Sequence, residues 1–458
     1  MTLRAYIDAL KGKKVAVLGV GVSNRPLLRL LSGCGADVTA YDRRDRAALA
    51  EVAGELETLG ITLSCGDRYL DSLAADVIFR TPGMRPDVPQ IAEAVARGAT
   101  LTSEMEAFFE VCPCRIIAVT GSDGKTTTTS VIARLLEQQG FTVYTGGNIG
   151  TPLLDKAGQM KPDDIAVLEL SSFQLMTMKR SGDIAVVTNV APNHLDVHKD
   201  MQEYTDAKRN VFAHQSEAGR VVLNADNAIT AAFVTEAKGE YLMFSRNRCV
   251  YNGVYCQDGV IREAVNGTDT KIMDAKDIFI PGEHNVENFM AAFAAVRGLV
   301  SHENMRKVAM EFRGVAHRIE LVREKDGVKY YNDSIASSPS RTTAGLRSFA
   351  QKVILIAGGK DKGVPFDSLG AEIVGHVKKL VLTGLTADKI RAAVENAPGY
   401  AGEPEIYTVE GFRDAVVQAS RLAEPGDVVI LSPACTSFDR FKNFEERGNV
   451  FKQIVNEL

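Results

Sequence analysis

Residues 116–129 read Ile-Ile-Ala-Val-Thr-Gly-Ser-Asp-Gly-Lys-Thr-Thr-Thr-Thr, and the helical pattern Ser130–Gln139 follows. No other stretch constrains the fold as much. An apolar, β-branched run that feeds a glycine loop and then a helix start is a strand–loop–helix unit. Free backbone N–H groups and the helix dipole at such a start face a bound anion. Lys125 adds a positive charge, and the Thr126 hydroxyl can ligate Mg²⁺. Gly121, Ser122, Asp123, Gly124, Lys125, Thr126 and Thr127 are therefore expected to surround nucleotide phosphates. A Thr-rich helix start with no ligand is the bland alternative. The loop is shorter than the usual G-x-x-x-x-G-K-[ST]: Val119 stands where the early glycine would be, leaving T-G-x-x-G-K-T from Thr120. That departure narrows which nucleotide enzymes fit.

The flanking sequence alternates strand-like and amphipathic runs, which predicts α/β architecture with doubly wound parallel sheets. Strands are expected at Lys14–Leu18, Asp37–Tyr41, Ile61–Ser64 and Asp76–Phe79, with helices at Pro26–Ser32 and Arg46–Leu59. In the middle third they are expected at Phe141–Tyr144, Ile165–Leu170, Ile184–Val190 and Arg220–Asn224. Short pieces with Gly/Asn/Asp turns between Glu240 and Asp277 read as antiparallel hairpins, before a helix at Asn285–Val300. The last third resumes alternation with Lys329–Asn332, Lys352–Ala357, Lys379–Thr383, Glu405–Thr408 and Asp427–Leu431. A length of 458 residues corresponds to roughly three domains. The boundaries fall near Ser103 and Gly314, giving 1–103, 104–314 and 315–458.

Bulk properties exclude several classes. The net charge is −5 and no Lys/Arg block occurs, so nucleic acid has no electrostatic footing. The opening Met-Thr-Leu-Arg-Ala-Tyr lacks the layout of a signal peptide, and no apolar run is long enough to span a bilayer. A soluble, cytoplasmic monomer is expected. The seven cysteines match neither a zinc ribbon nor a disulfide scaffold, and Cys112-Pro113-Cys114 is CxC rather than CxxC. Reduced structural cysteines are the expectation.

Other candidates gather at strand ends. Gly19-Val20-Gly21-Val22-Ser23-Asn24, with Asp42 closing the next strand, resembles a dinucleotide turn whose third glycine is Asn24. A bare turn, a nicotinamide site and a site for another nucleotide diphosphate all remain open there. Glu169 ends an apolar strand, where an acid beside a phosphate loop can meet Mg²⁺. His194, in Asn193-His194-Leu195-Asp196, leaves another strand as a candidate ligand. Lys208, on the helical stretch Met201–Phe212, reads on its own as a surface lysine. Asn288 sits at the start of an Ala-rich helix, where capping alone would explain it. Three polar loops close strands in the last third: Asn332-Asp333-Ser334, Gly358–Lys362 and Ser432–Phe444. Their lysines suit an anionic substrate.

In this order and spacing, these motifs, together with Gly146–Gly150, Gly282–Asn288 and His317-Arg318, resemble the Mur ligase family of cytoplasmic peptidoglycan enzymes. The resemblance runs over essentially the whole chain. The run Ser432–Gly448 is similar to the D-glutamate-adding branch, and the Asp-Asn-Pro-Arg motif of the diaminopimelate- or lysine-adding branch is absent. The resemblance implies three domains: an N-terminal Rossmann-like domain for a UDP-linked substrate, a central P-loop ATP-binding domain with an antiparallel extension, and a C-terminal Rossmann-like domain for the amino acid. It implies that ATP activates a carboxylate as an acyl phosphate, which the amine of D-glutamate then attacks.

By position, Lys125 would hold the β/γ-phosphates, Thr126 and Glu169 one Mg²⁺, and His194 a second. Lys208 matches the lysine that this family carbamylates, which would carry it to the metal. Asn288, Arg318 and Asp333 match ATP contacts. Ser23, Asp42, Arg43, Arg44 and Gly83, with Asn148 and Gln174, match uridine-substrate contacts. Ser337, Lys362, Ser437, Phe438 and Phe444 match D-glutamate contacts; at Ile335, where some members have lysine, no such contact is expected. Three domains holding two substrates and ATP also suggest hinge motion of the last domain about the Gly314 region. The competing readings are another amino-acid-adding or folylpolyglutamate-type ligase, a nicotinamide-dependent oxidoreductase resting on Gly19–Asp42, and a nucleotide-binding module without turnover.

Overall fold

Three sheets organise the computed structural model, which describes residues 1–458 apart from 22, 362 and 363. The first contains β1 (Lys14–Leu18), β2 (Asp37–Asp42), β3 (Thr62–Cys65), β4 (Val77–Arg80) and β5 (Thr100–Thr102), in the order β3-β2-β1-β4-β5 with every pair parallel. The chain reverses its direction of winding between β1 and β4. In such sheets the crevice for a ligand opens at this switch point.

The second sheet contains β6 (Arg115–Thr120), β7 (Val143–Gly147), β8 (Ile165–Glu169), β9 (Ile184–Val187), β10 (Arg220–Asn224), β11 (Glu240–Ser245), β12 (Gly253–Gln257), β13 (Val260–Val265) and β14 (Thr268–Asp274). Its order is β14-β13-β12-β11-β10-β9-β6-β8-β7. β6 thus lies between β8 and β9, and the loops leaving these three strands meet at one edge. The third sheet contains β15 (Glu320–Lys325), β16 (Val328–Asn332), β17 (Val353–Ala357), β18 (Val377–Leu382), β19 (Glu405–Thr408) and β20 (Val428–Leu431), ordered β15-β16-β20-β17-β18-β19.

The predicted α/β class and parallel sheets hold. Continuous apolar strands such as β17, Val-Ile-Leu-Ile-Ala, are buried at every residue because helices cover both faces. The β15 edge strand, antiparallel to β16, was not predicted; its residues are mostly half-buried and carry no strict alternation.

The antiparallel hairpins expected after Glu240 are present as the meander β12–β13–β14, but β11 is not part of them: β10–β11 and β11–β12 pair in parallel. Ser245 Oγ accepts the N–H groups of Asn247 and Arg248 at 3.1 and 3.0 Å, and Asp226 accepts that of Arg246 at 2.7 Å. These bonds fold residues 246–252 back beside β11 instead of reversing the chain. The helix predicted at Arg46–Leu59 begins only at Ala50, because the Asp45 carboxylate takes the Ala48 N–H at 2.8 Å and holds a turn.

The chain divides into two compact units, Met1–Ile278 with His284–Met310, and Phe279–Glu283 with Glu311–Leu458. The first unit includes both the first and second sheets. A shared core joins them, from Val17 and Phe79 through Met105 and Phe108 to Leu153, Leu168 and Val187. The second unit encloses the third sheet between a cluster around Leu355, Leu369 and Leu380 and another around Ile356, Phe412 and Phe451. Among the described residues no helix is long and apolar enough to cross a membrane.

Candidate functional site

The phosphate-type loop leaves β6 at Thr120 and enters a helix at Lys125–Gln139, with Gly124 as N-cap at φ 77°. A side chain at Gly124 would overlap the Asn288 carboxamide, and one at Gly121 would overlap the Thr188 hydroxyl. Both glycines are thus required by close approach. The neighbouring strand end grips the loop. Thr188 Oγ1 donates to the Asp123 carbonyl at 2.6 Å, and Asn189 accepts the Ser122 N–H on its carbonyl and the Asp123 N–H on its side chain, both at 2.9 Å. Ser122 Oγ donates to the Ala191 carbonyl and accepts the Ala191 N–H, each at 2.9 Å, and lies 2.9 Å from the buried Tyr204 hydroxyl.

Two lysines converge on this loop. Lys125 Nζ donates to the Gly121 and Ser122 carbonyls at 2.9 Å, and Lys208 Nζ donates to the same Gly121 carbonyl at 2.6 Å. Lys208 is 1% exposed, which corrects its reading as a surface lysine. Burial, and then the Lys125 ammonium, push its pKa well below the usual lysine range, against the opposing pull of Asp123 and Glu169. Its Nζ also lies 4.6 Å from the centre of the Tyr204 ring. The signal was present in the sequence: Tyr204, Ala207, Lys208 and Val211 recur at helical spacing on one buried stripe of the helix Met201–Ala213.

Glu169 ends β8 and is 1% exposed. Its Oε1 accepts the Asn148 side-chain N–H at 2.7 Å, while its buried Oε2 has no hydrogen-bond partner. Asn288 accepts from Thr128 Oγ1 at 3.3 Å and donates to Asn285 at 3.2 Å. His194 is exposed, has φ 55° and meets the Phe173 ring edge-on at 5.1 Å. Thr126 and Thr127 are half-buried on the first turn of the helix, and Asp123 is exposed.

At the switch point of the first sheet lies a cavity of about 200 Å³, whose lining includes Ser23, Asn24, Arg80, Glu104, Asn148 and Gln174. Ser23, Asn148 and Gln174 are thus brought together as expected. Asp42, Arg43, Arg44 and Gly83 do not line this cavity. Asp42 is engaged with Arg44, accepting its Nε and Nη2 at 2.9 Å, and also accepts the Val20 N–H at 3.1 Å. Burial raises the Asp42 pKa, but the hydrogen bonds from Arg44 outweigh it and hold the carboxyl at about 2. Arg43 and Gly83 are exposed. Asn24, where a third glycine was sought, instead ties the turn to β1 by donating to the Leu18 and Gly19 carbonyls at 3.0 and 2.9 Å.

Sequence reasoning missed the two charged residues of this lining, Arg80 and Glu104. The Arg80 side chain, at the end of β4, is 1% exposed and donates to the Pro82 and Phe173 carbonyls at 3.1 and 2.9 Å. Burial pushes the Glu104 carboxyl up to about 7, although it accepts the Leu154 N–H at 3.0 Å. An arginine closing an otherwise apolar strand was the available hint for Arg80; nothing in the sequence marked Glu104.

In the second unit the loops after β16, β17 and β20 form one edge. Gly358 donates to the Pro433 carbonyl and Lys360 to the Thr436 carbonyl, both at 2.9 Å. Arg447, 2% exposed, donates to Ser334 Oγ at 3.0 Å, the Ser334 carbonyl at 2.8 Å and the Cys435 carbonyl at 3.1 Å. Asp333 faces inward, accepting from Ser432 Oγ at 2.7 Å, and burial pushes it up to about 7. The Nε of Arg318 is buried without a hydrogen-bond partner among the described residues. Ser337 is half-buried and Ser437 buried, whereas Phe438 is 62% exposed. Phe444 packs edge-on against His317 at 6.0 Å. Ile335 donates its N–H to the His317 carbonyl. Lys362 lies outside the described residues.

Two family models match the chain: the Mur ligase middle domain over residues 119–296, and the Mur ligase glutamate ligase domain over 317–435. The UDP-N-acetylmuramoylalanine–D-glutamate ligase of Acetivibrio thermocellus is 54% identical, covering 100% of this chain and 99% of that protein. Proteins of the same name from Ruminiclostridium cellulolyticum and Clostridium novyi are 52% and 50% identical with the same coverage. Among solved structures, a UDP-N-acetylmuramate-alanine ligase from Thermotoga maritima superposes with TM-score 0.57 at 17% identity, over 97% of this chain and 99% of that one. A MurF ligase from Thermotoga maritima in complex with ADP gives 0.55 at 18% identity, over 98% and 96%. At such identities the structures speak to the fold alone.

Proposed function

Because the chain belongs to the Mur ligase family, we infer that it is the ATP-dependent ligase that joins D-glutamate to UDP-N-acetylmuramoyl-L-alanine during peptidoglycan precursor synthesis. Full-length identity of 50–54% to enzymes of that name carries this reading. ATP phosphorylates the alanyl carboxylate. The D-glutamate amine attacks the acyl phosphate, and the tetrahedral intermediate expels phosphate to leave an amide.

The reaction brings two anions together, so cations and oriented N–H groups contribute most to it. We assign Lys125 and the N–H groups of residues 121–127 to the ATP phosphates, with Asn288 and Arg318 as further ATP contacts and Asp333 as their support. Asp333 would act by holding its loop, since its carboxyl is turned inward to Ser432. Arg318 offers a buried, unpartnered donor. Ser23, Asn148 and Gln174 in the first cavity would hold the UDP-linked substrate. Asp42, Arg43, Arg44 and Gly83 would border it on the adjoining loops. Ser337, Lys362, Ser437, Phe438 and Phe444 would contact D-glutamate. Residues 1–103, 104–314 and 315–458 would form the three functional domains, the last moving about Gly314.

Mg²⁺ is a second part of the proposal. Among the described residues no cluster of three His, Cys, Asp or Glu side chains exists that could hold a metal alone. The residues present fit an ion shared with phosphate oxygens: Glu169 keeps one buried oxygen unpartnered, and Thr126 opens the adjacent helix. Thr126 and Glu169 would hold one ion, His194 and a carbamylated Lys208 the other. Bound there, Mg²⁺ would neutralise charge between carboxylate and γ-phosphate. The depressed Lys208 pKa favours carbamylation, because only the neutral amine adds to CO₂, losing a proton as the carbamate forms.

The decisive experiment measures phosphate release with ATP, Mg²⁺, UDP-N-acetylmuramoyl-L-alanine and a panel of amino acids. D-glutamate alone should support turnover. Release with another amino acid, or none at all, overturns the assignment.

A further inference from the structure

His194 occupies a backbone region that a side chain with a Cβ avoids, at φ 55°. Its loop must therefore be held from outside. The His194 carbonyl accepts the N–H groups of Val197 and His198 at 3.1 and 2.9 Å, closing a tight turn. His198 locks that turn into the body of the unit. Its side chain has no exposed surface; Nε2 lies 2.9 Å from Ser172 Oγ, while Nδ1, 3.3 Å from Glu203 Oε2, makes no hydrogen bond among the described residues. Its ring stacks on Phe173 at 5.2 Å, the same ring that His194 meets edge-on.

One arginine holds this assembly from the first sheet. Arg85 follows Gly83 in the loop after β4. Its Nη1 donates to the Val197 carbonyl at 2.6 Å and to Glu203 Oε2 at 2.9 Å. Its Nη2 donates to Glu203 Oε1 and Asp87 Oδ2, both at 2.9 Å, and its Nε to Asp87 Oδ1 at 2.8 Å. All five guanidinium donors are therefore used, a fork geometry that lysine cannot reproduce. From the same strand end, Arg80 lines the first cavity and reaches the Phe173 carbonyl and Thr177 Oγ1 at 2.9 and 3.2 Å.

We propose that Arg85, acting through Val197, Glu203 and His198, is a positioning residue that sets the His194 imidazole, so that the loop after β4 and the His194 loop move as one body. This links occupancy of the uridine-substrate cavity to placement of a metal ligand. It rests on the role of His194 proposed above. The contacts to Val197 and Glu203 are partly buried, so they resist screening by salt better than an exposed pair would.

The test uses the full chain with Arg85→Gln, Arg85→Lys and Glu203→Gln. Two readouts are taken: the Mg²⁺ concentration for half-maximal rate, and hydrogen exchange at the Val197 and His198 amides with and without UDP-N-acetylmuramoyl-L-alanine. In the unmodified protein the substrate should slow exchange at both amides. In Arg85→Gln that protection should vanish. The Mg²⁺ requirement should rise about 10-fold, as for other groups that orient a metal ligand, while the KM for D-glutamate stays within about twofold. Arg85→Lys should restore only part of the effect. Unchanged protection and Mg²⁺ dependence in Arg85→Gln overturn the proposal, as does an equal loss in every KM. Failure of the functional reading is separate: it shows as no D-glutamate-dependent phosphate release by the unmodified protein, while the exchange readout still decides the coupling.

Discussion

Replacing Arg447 by methionine tests whether a buried cation holds the loop edge of the second unit proposed to bind D-glutamate. Burial pushes its pKa from an ordinary 12.5 down to about 10, a penalty of about 3 kcal/mol on the charged form. Against this stand the hydrogen bonds to Ser334 Oγ, the Ser334 carbonyl and the Cys435 carbonyl. With a charged donor each is worth about 1.5–3 kcal/mol, so the bonds outweigh the penalty. Methionine removes the penalty and the bonds together, and strands two carbonyls. The expected net loss is about 2–4 kcal/mol. For a unit of this size that lowers the melting temperature by roughly 5–15 °C, read by calorimetry as a shift in the second unit's transition. The KM for D-glutamate should rise more than that for the UDP-linked substrate. Lysine is the sharper variant: it keeps the desolvation penalty but has one compact head where the guanidinium forks, so it should cost at least as much as methionine. A lysine variant near the unmodified stability, beside a badly destabilised methionine variant, would show that the charge itself stabilises and refute the argument from directed bonds.

Lys208→Ala should lower turnover by about 100-fold or more, with partial recovery on adding short carboxylates; normal turnover removes the carbamate from the mechanism. Gly121→Ala should weaken ATP binding by about 10-fold through overlap with the Thr188 hydroxyl, and Thr188→Ala in the same chain should recover part of it by calorimetric titration. Lys125→Ala should abolish phosphate release; near-normal activity disproves its role at the phosphates. Burial holds the Asp333 carboxyl at about 7 against an ordinary 3.8, so the folded chain keeps a proton that the unfolded chain loses. Its stabilising contribution is complete below about pH 4 and is lost as pH rises through about 7. Asp333→Asn should flatten the decline in unfolding free energy between about pH 4 and 7, and an unaltered slope in denaturant titrations contradicts this.

The phosphate-type loop was legible because its chemistry is local: glycines, a lysine and threonines in consecutive positions after an apolar strand. The parallel strands were legible because burial on both faces leaves continuous apolar runs, as in Val353–Ala357. What escaped depends on partners distant in sequence. The parallel pairing of β11 with β12 escaped because Asp226, 20 residues upstream, holds the Arg246 N–H and folds the chain back. Lys208 is buried by Tyr204 and by the Gly121 carbonyl, 87 residues away, and an isolated lysine gives no sign of such a partner. Arg85 and Arg447 were likewise invisible as structural residues, because their partners, Val197 and Glu203 for the one and Ser334 for the other, lie 112 to 118 residues away. The residues proposed as uridine contacts divided along the same line: Ser23, Asn148 and Gln174 share a cavity, while Asp42 is taken up by its own neighbour Arg44.

The meander β12–β14 forms one edge of the second sheet, six strand spacings from β6 in the order of the sheet. At about 4.8 Å per spacing, its outer strand lies roughly 30 Å from the phosphate-type loop. That separation suits energy transfer between two dyes. Thr270 is exposed on β14 and takes no part in the networks around Gly121. A donor attached there, paired with a fluorescent ATP analogue, would follow nucleotide arrival and departure in real time without touching a residue of the site.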